Sequence, residues 1–141
     1  MAEGKTFIDT KVLLYLLSSD VTKADRAETV LRSGGLISVQ VLNEIANVAR
    51  RKLAMAWVDI NELMTLIRSL CPVESLTVEM HERGRQVAER YGLSVYDAMI
   101  AAAALVSGCE TLYSEDMQDG LLIDQQLRIR NPFAALALPV S

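Results

Sequence analysis

Histidine is nearly missing from this chain: His81 is the only one in 141 residues. Chemistry that needs a pair of histidines is excluded. A Ser/His/Asp or Cys/His centre is poorly supported, because His81 lies among Glu79, Glu82 and Arg83 in a helical stretch and fits a surface position. Cysteine is scarce as well. Cys71 and Cys109 have neither CxxC spacing nor a neighbouring histidine, which favours two buried thiols over a disulfide or a zinc site. The usual nucleotide-binding loops, GxxxxGK[ST] and GxGxxG, are absent. With 7 glycines, 3 prolines and no Ser-rich or charge-block tract, nothing marks a linker, a disordered tail or a repeat array.

Long apolar runs are lacking too. The longest, "AMIAAAALV" at 98–106, falls short of the roughly 18 residues that a membrane helix requires. The start, "MAEGKTFID", has no basic segment leading into an apolar one. A cytoplasmic protein without membrane contact is the expectation. Excess positive charge is the last absence: a formal charge of -4 argues against broad, nonspecific affinity for nucleic acid or acidic membrane. A nucleic-acid substrate stays possible if the acids are concentrated in one metal site, because bound cations reverse the local field.

What is present is a core. Hydrophobic residues make up 51% of the chain and charged residues 23%, which suits one compact domain over 1–141. Short β-prone runs at 5–9, 35–38, 71–76, 110–114 and 127–131 alternate with segments of helical period. Val41, Leu42, Ile45, Val48 and Ala49 predict a helix from 39 to about 53, with Ser38 as N-cap and Gln40, Glu44, Asn47 and Arg51 as its polar stripe. Further helices are predicted at 59–70, at 78–91 between Thr77 and Gly92, and at 95–107, where the apolar character runs almost all round. This rhythm predicts an α/β domain with a mainly parallel sheet, whose ligand site lies beyond the carboxyl ends of the strands.

Four acids stand where such a site would form. Asp9 ends the first predicted strand and Asp116 follows the strand "ETLYS", while Glu44 and Asp97 lie in early turns of helices. Hard oxygen ligands from several elements are what a magnesium or manganese site requires. Each acid has a second explanation. Ser94-x-x-Asp97 has the pattern of a capping box, Glu44 can face solvent and pair with Arg51, and Asp116 in "SEDMQDG" can be a turn residue beside Gly120. Asp9 is hardest to dismiss, since an acid ending a buried strand is costly unless something compensates it.

The segments "FIDTKVLLYLL", "ISVQVLNEIANVARRK", "GLSVYDAMIAAAALVSGCETLYSEDMQDG" and "NPF", spanning residues 7 to 133, resemble the PIN-domain nucleases, and most closely the VapC-like toxins of toxin–antitoxin pairs. The resemblance implies a three-layer α/β/α PIN-like fold and a ribonuclease dependent on Mg2+ or Mn2+ that leaves 5′-phosphate and 3′-hydroxyl ends. Carried over position by position, it implies that Asp9, Glu44, Asp97 and Asp116 are the catalytic, metal-binding acids. Asp119 assists, and Thr10 and Ser114 orient the acids or water. It further implies an RNA substrate, a homodimer and a cognate antitoxin that inserts a segment at or near the pocket. Arg50, Arg51 and Lys52 are candidates for RNA-backbone contact, with a solvated helix end as the alternative. The helix at 59–70, with Leu63, Leu66, Ile67 and Leu70 on one side, is either core or a partner surface.

One residue departs from the pattern. Lys11 stands where the related families usually carry a small polar residue, most often asparagine. Its charge either pairs with the acids and weakens the metal site or points outward without effect. In the first case the chain would be a noncatalytic PIN-like binding protein. An aspartate-nucleophile phosphatase of the DxD type fits worse, because Lys11 occupies the place of its second acid.

Overall fold

The computed structural model describes residues 4–134. The chain opens with β1 (Thr6–Ile8), α1 (Thr10–Leu14), a 3₁₀ turn (Tyr15–Leu17) and α2 (Val21–Arg32). Then come β2 (Ile37–Ser38), α3 (Val39–Arg51), α4 (Trp57–Leu70) and β3 (Val73–Glu74). It closes with α5 (Val78–Tyr91), α6 (Val95–Val106), β4 (Thr111–Tyr113), β5 (Leu122–Ile123) and β6 (Leu127–Arg130).

The strands are short, and they share the large buried side chains of the core with the helices. Phe7, Ile8, Ile37, Leu112, Leu127 and Ile129 are all buried. β1, β4 and β6 pair in parallel, and β5 closes that edge antiparallel to β6. β2 and β3 form a second parallel pair, joined to β1 by the parallel bridge Phe7↔Leu36. Going outward, the spatial order is therefore β3, β2, β1, β4, β6, β5. From β1 the chain goes first to one side, into β2, and later to the other, into β4. That reversal makes β1 a topological switch point, where a crevice opens at the carboxyl edge.

Helices α1 to α4 pack among themselves, whereas α5 and α6 form a hairpin with α6 lying on β4 and β6. The result is the mainly parallel three-layer α/β/α architecture that was expected. In α6, Ala101 to Ala104 are fully buried, and their small side chains let the helix lie close to the sheet. The 78–91 helix forms with the predicted ends: the Thr77 hydroxyl accepts from the Met80 amide, and Gly92 takes the left-handed conformation at φ 69°. In α4, Ile60 and Ile67 are buried and Leu63 and Leu70 pack partly buried against the core, while Trp57, Val58 and Leu66 are exposed, so only one side of that helix is core.

Three local features differ from the sequence-based expectation. The first strand stops at Ile8, and Asp9 is the N-cap of α1, its carboxylate accepting from the Thr10 amide at 2.7 Å. Ser38 sits at the N-cap of α3 but makes no capping hydrogen bond with its side chain. α1, α2 and β5 have no counterpart among the predicted elements. α2 is polar almost throughout, burying only Ala27, Val30 and Leu31, so its period is faint; the Asp20 side chain caps it by accepting from the Lys23 amide at 3.2 Å.

Candidate active site

β1 and β4 run side by side in register, Ile8 opposite Tyr113, and the Asp9 amide continues the ladder by donating to the Tyr113 carbonyl at 2.9 Å. The next residues on the two strands then meet at the carboxyl edge: the Ser114 hydroxyl donates to Asp9 Oδ2 at 2.9 Å. Asp9 is only 5% exposed. Burial pushes its carboxyl up to about 6, against the hydrogen bonds from Ser114 and Thr10, and the negative charges of Asp97 and Glu44 add to the rise.

α1 places Thr10 directly after Asp9, and the buried Thr10 hydroxyl donates to Glu44 Oε1 at 2.9 Å. Gln40, one turn earlier on α3, donates to the same oxygen at 3.3 Å, and its amide also reaches the Tyr96 carbonyl at 3.3 Å. Glu44 thus turns toward α1 and the start of α6; no ion pair with Arg51 forms among the described residues. At the start of α6 the Ser94 hydroxyl accepts from the Asp97 amide at 3.2 Å, so the cap forms as the capping-box pattern predicts. The Asp97 carboxyl is nevertheless raised, by burial first and by the charge of Asp116 in addition, with the Ser94 hydrogen bond opposing. Capping and membership of the acidic group are not exclusive at this position.

Asp116 lies in the bend after β4 and pairs with Lys11, whose ammonium donates to Asp116 Oδ1 at 3.1 Å. That hydrogen bond is the main reason the Lys11 amine is raised. Asp119 is engaged differently. It accepts from the Asn131 amide at 2.9 Å, and Asn131 in turn accepts from the Phe133 amide at 2.9 Å, which seats the "NPF" segment with Phe133 edge-on to Tyr15, ring centroids 4.7 Å apart.

A second network, beside the four acids, has no counterpart in the sequence analysis. The Tyr15 hydroxyl donates to Glu115 Oε1 at 2.6 Å, Lys23 donates to Glu115 Oε2 at 3.1 Å, and Lys11 lies 3.4 Å from Glu115 Oε1. Burial alone would raise the Glu115 carboxyl, but these donors hold it below the usual range. The position of Glu115 next to Asp116 was the one available sequence signal. Tyr15 and Lys23 offered none, because their meeting with Glu115 is made by the 3₁₀ turn and α2. Of the basic candidates, Arg50 is occupied in the α3–α4 turn, donating to the Met55 carbonyl at 3.0 Å and lying over the Trp57 ring; Arg51 and Lys52 are exposed.

The donor set suits a hard divalent cation. All are carboxylates, the charges of Glu44, Asp97 and Asp116 lie close enough to add to the rise at Asp9 or Asp97, and the most buried of them, Asp9, is kept ionised at neutral pH at a cost that a cation would offset. Ser38, which the Phe7↔Leu36 bridge places one strand over from Asp9, adds a fully buried hydroxyl with no hydrogen-bond partner. Among the described residues no three acid, histidine or cysteine side chains approach closely enough to ligate a single ion as they stand. Each of three acids is instead engaged by a protein donor: Thr10 on Glu44, Ser114 on Asp9, Lys11 on Asp116.

The sequence model described as "PIN domain" matches residues 6–118. Among solved structures, a toxin–antitoxin complex from Klebsiella pneumoniae is similar with a TM-score of 0.70 at 20% identity, covering 91% of this chain and 98% of that one. Mycobacterium tuberculosis VapC20, described as a sarcin–ricin loop cleaving toxin, has a TM-score of 0.65 at 19% identity over 79% of this chain and 90% of its own. VapBC2 from Rickettsia felis, bound to a promoter DNA fragment, has a TM-score of 0.64 at 16% identity over 89% and 98%. At these identities the likeness is one of fold. No curated protein sequence matches at a comparable level of significance.

Proposed function

The chain belongs to the PIN domain family, and on that premise we propose that it is an endoribonuclease dependent on Mg2+ or Mn2+, the toxin of a toxin–antitoxin pair. The observation that carries this reading is the buried Asp9 carboxylate at the switch point of the sheet, held by Ser114 and Thr10 and facing the charges of Asp97 and Glu44. Asp9, Glu44 and Asp97 would hold the principal cation, and Asp116 would complete the acidic pocket, offering a place for a second ion when substrate phosphate arrives. Asp119 would assist from the Asn131 side.

When bound, the cation supplies a more acidic water and neutralises charge on the phosphoryl oxygens. The protein's own part is positioning. Ser114 and the Thr10 amide engage both oxygens of Asp9, and the Thr10 hydroxyl and Gln40 engage Oε1 of Glu44, which orients these two carboxylates at the carboxyl edge of the sheet. Attack of water on phosphorus with departure of the 3′ oxygen leaves a 5′-phosphate and a 3′-hydroxyl. The partners that accompany this reading are an RNA substrate, a cognate antitoxin and a second copy of the chain. The toxin–antitoxin complexes of similar fold support the antitoxin. No helix among the described residues is long and apolar enough to cross a membrane, which accords with a cytoplasmic toxin.

Asp9→Asn and Asp97→Asn are each expected to abolish EDTA-sensitive RNA cleavage while leaving the circular dichroism spectrum unchanged; full cleavage by either variant would overturn the assignment. The Lys11–Asp116 pair favours one alternative, a noncatalytic PIN-like binding protein. Absence of cleavage by the purified protein with Mn2+, together with cleavage restored by Lys11→Asn, would establish that alternative.

A further inference from the structure

The acids of the pocket are held by two kinds of partner. Asp9 accepts from a hydroxyl and an amide, Glu44 from a hydroxyl and a carboxamide, and the helix bearing Asp97 is capped by a serine. Neutral donors such as these orient a carboxylate and leave its formal charge intact. Asp116 is different: among the described residues it is the one member of the four paired with a full positive charge, the Lys11 ammonium at 3.1 Å. Nor does Glu115 require that ammonium. It already has Lys23 at 3.1 Å on one oxygen and the Tyr15 hydroxyl at 2.6 Å on the other, while Lys11 stands farther off at 3.4 Å. The positive charge of Lys11 is therefore surplus to Glu115 and falls to Asp116.

We infer that Lys11 is the resident counter-ion of the Asp116 end of the pocket, so that the protein takes up one divalent cation, at Asp9, Glu44 and Asp97, instead of two. This rests on the proposed metal site and specifies its stoichiometry. The position of Lys11 as the second residue of α1 allows the role. The backbone is anchored beside Asp9, and the side chain, 47% exposed, spans from the α1 end of the pocket to the bend after β4. A second divalent ion at Asp116 would have to displace the ammonium and then remain a few ångströms from it. Coulomb repulsion at that distance lowers its affinity by about tenfold or more even in a water-like dielectric.

The test is a Mn2+ titration of the full chain followed by the electron paramagnetic resonance signal of free Mn2+, with circular dichroism confirming that each variant is folded. Wild type and Lys11→Arg are expected to retain one equivalent, and Lys11→Met to retain a second, bound at least about tenfold more tightly than any second ion in wild type. Equal uptake by Lys11→Met and wild type, or two equivalents in wild type, would overturn the inference. Asp9→Asn separates this from the underlying reading: it should lose the first ion with or without Lys11. Retention of that ion would refute the metal site itself, as would a wild type that binds no Mn2+.

Discussion

At Asp9 the local sequence and the packing pull in opposite directions. The position is an N-cap, where a carboxylate is favoured by the free amides and the helix dipole, yet the strand before it carries the residue into the core. Burial wins, and the carboxyl is pushed up to about 6 from the model-peptide value of 3.8. A carboxyl raised in the folded state adds stability below pH 3.8, and that stability is lost as pH rises through 6, because the folded chain holds the proton longer than the unfolded one. In EDTA the protein should therefore lose about 2 kcal/mol of stability between pH 4 and pH 6.5 on this account. Urea titrations across that range check it, and Asp9→Asn should flatten the dependence. That Asp9 needs partners was legible in the sequence, because an acid among apolar residues demands compensation. The partners of Glu115 were not, because Tyr15 and Lys23 lie 100 and 92 residues away from it along the chain.

At the scale of elements, the α5–α6 hairpin depends on close approach. A side chain on Gly84 would place its Cβ 2.5 Å from Met99 Sδ and 2.8 Å from Met99 Cε. Gly84→Val is expected to cost roughly 2 kcal/mol through overpacking, despite the better helix propensity of valine. Chemical denaturation measures the loss, and pairing the change with Met99→Ala should recover part of it if the clash is the cause. Helix periodicity and caps showed α5 to the residue, since Thr77 and Gly92 act through local geometry alone. The β5–β6 hairpin was hidden for the converse reason. Its turn places Asp124 and Gln125 at φ 50° and 57°, a conformation usually signalled by Asn-Gly. Arg83 and Tyr91 of α5 hold the turn from outside by hydrogen bonds to the Asp124 carboxylate at 3.0 to 3.2 Å, a tertiary contact with no local signature.

At the scale of the whole molecule, both thiols lie inside the core. Burial pushes Cys71 and Cys109 up to about 11, and their exposures are 1% and 0%. Neither should react with iodoacetamide at pH 8 in the folded protein, where about a thousandth of each is thiolate, and both should react in urea. Mass spectrometry of the two samples decides. The three-layer arrangement came from the family resemblance, while the alternation of β-prone and helical segments predicted an α/β domain with a mainly parallel sheet by itself, because hydrophobic period is a local property. It likewise determined which acids stand near strand and helix ends. Only the tertiary structure decided what each acid meets. The strand register set Ser114 against Asp9, and the fold of α1 set Thr10 against Glu44 and Lys11 against Asp116. Those contacts join residues from 34 to 105 positions apart, and over such distances it is packing that selects the neighbour.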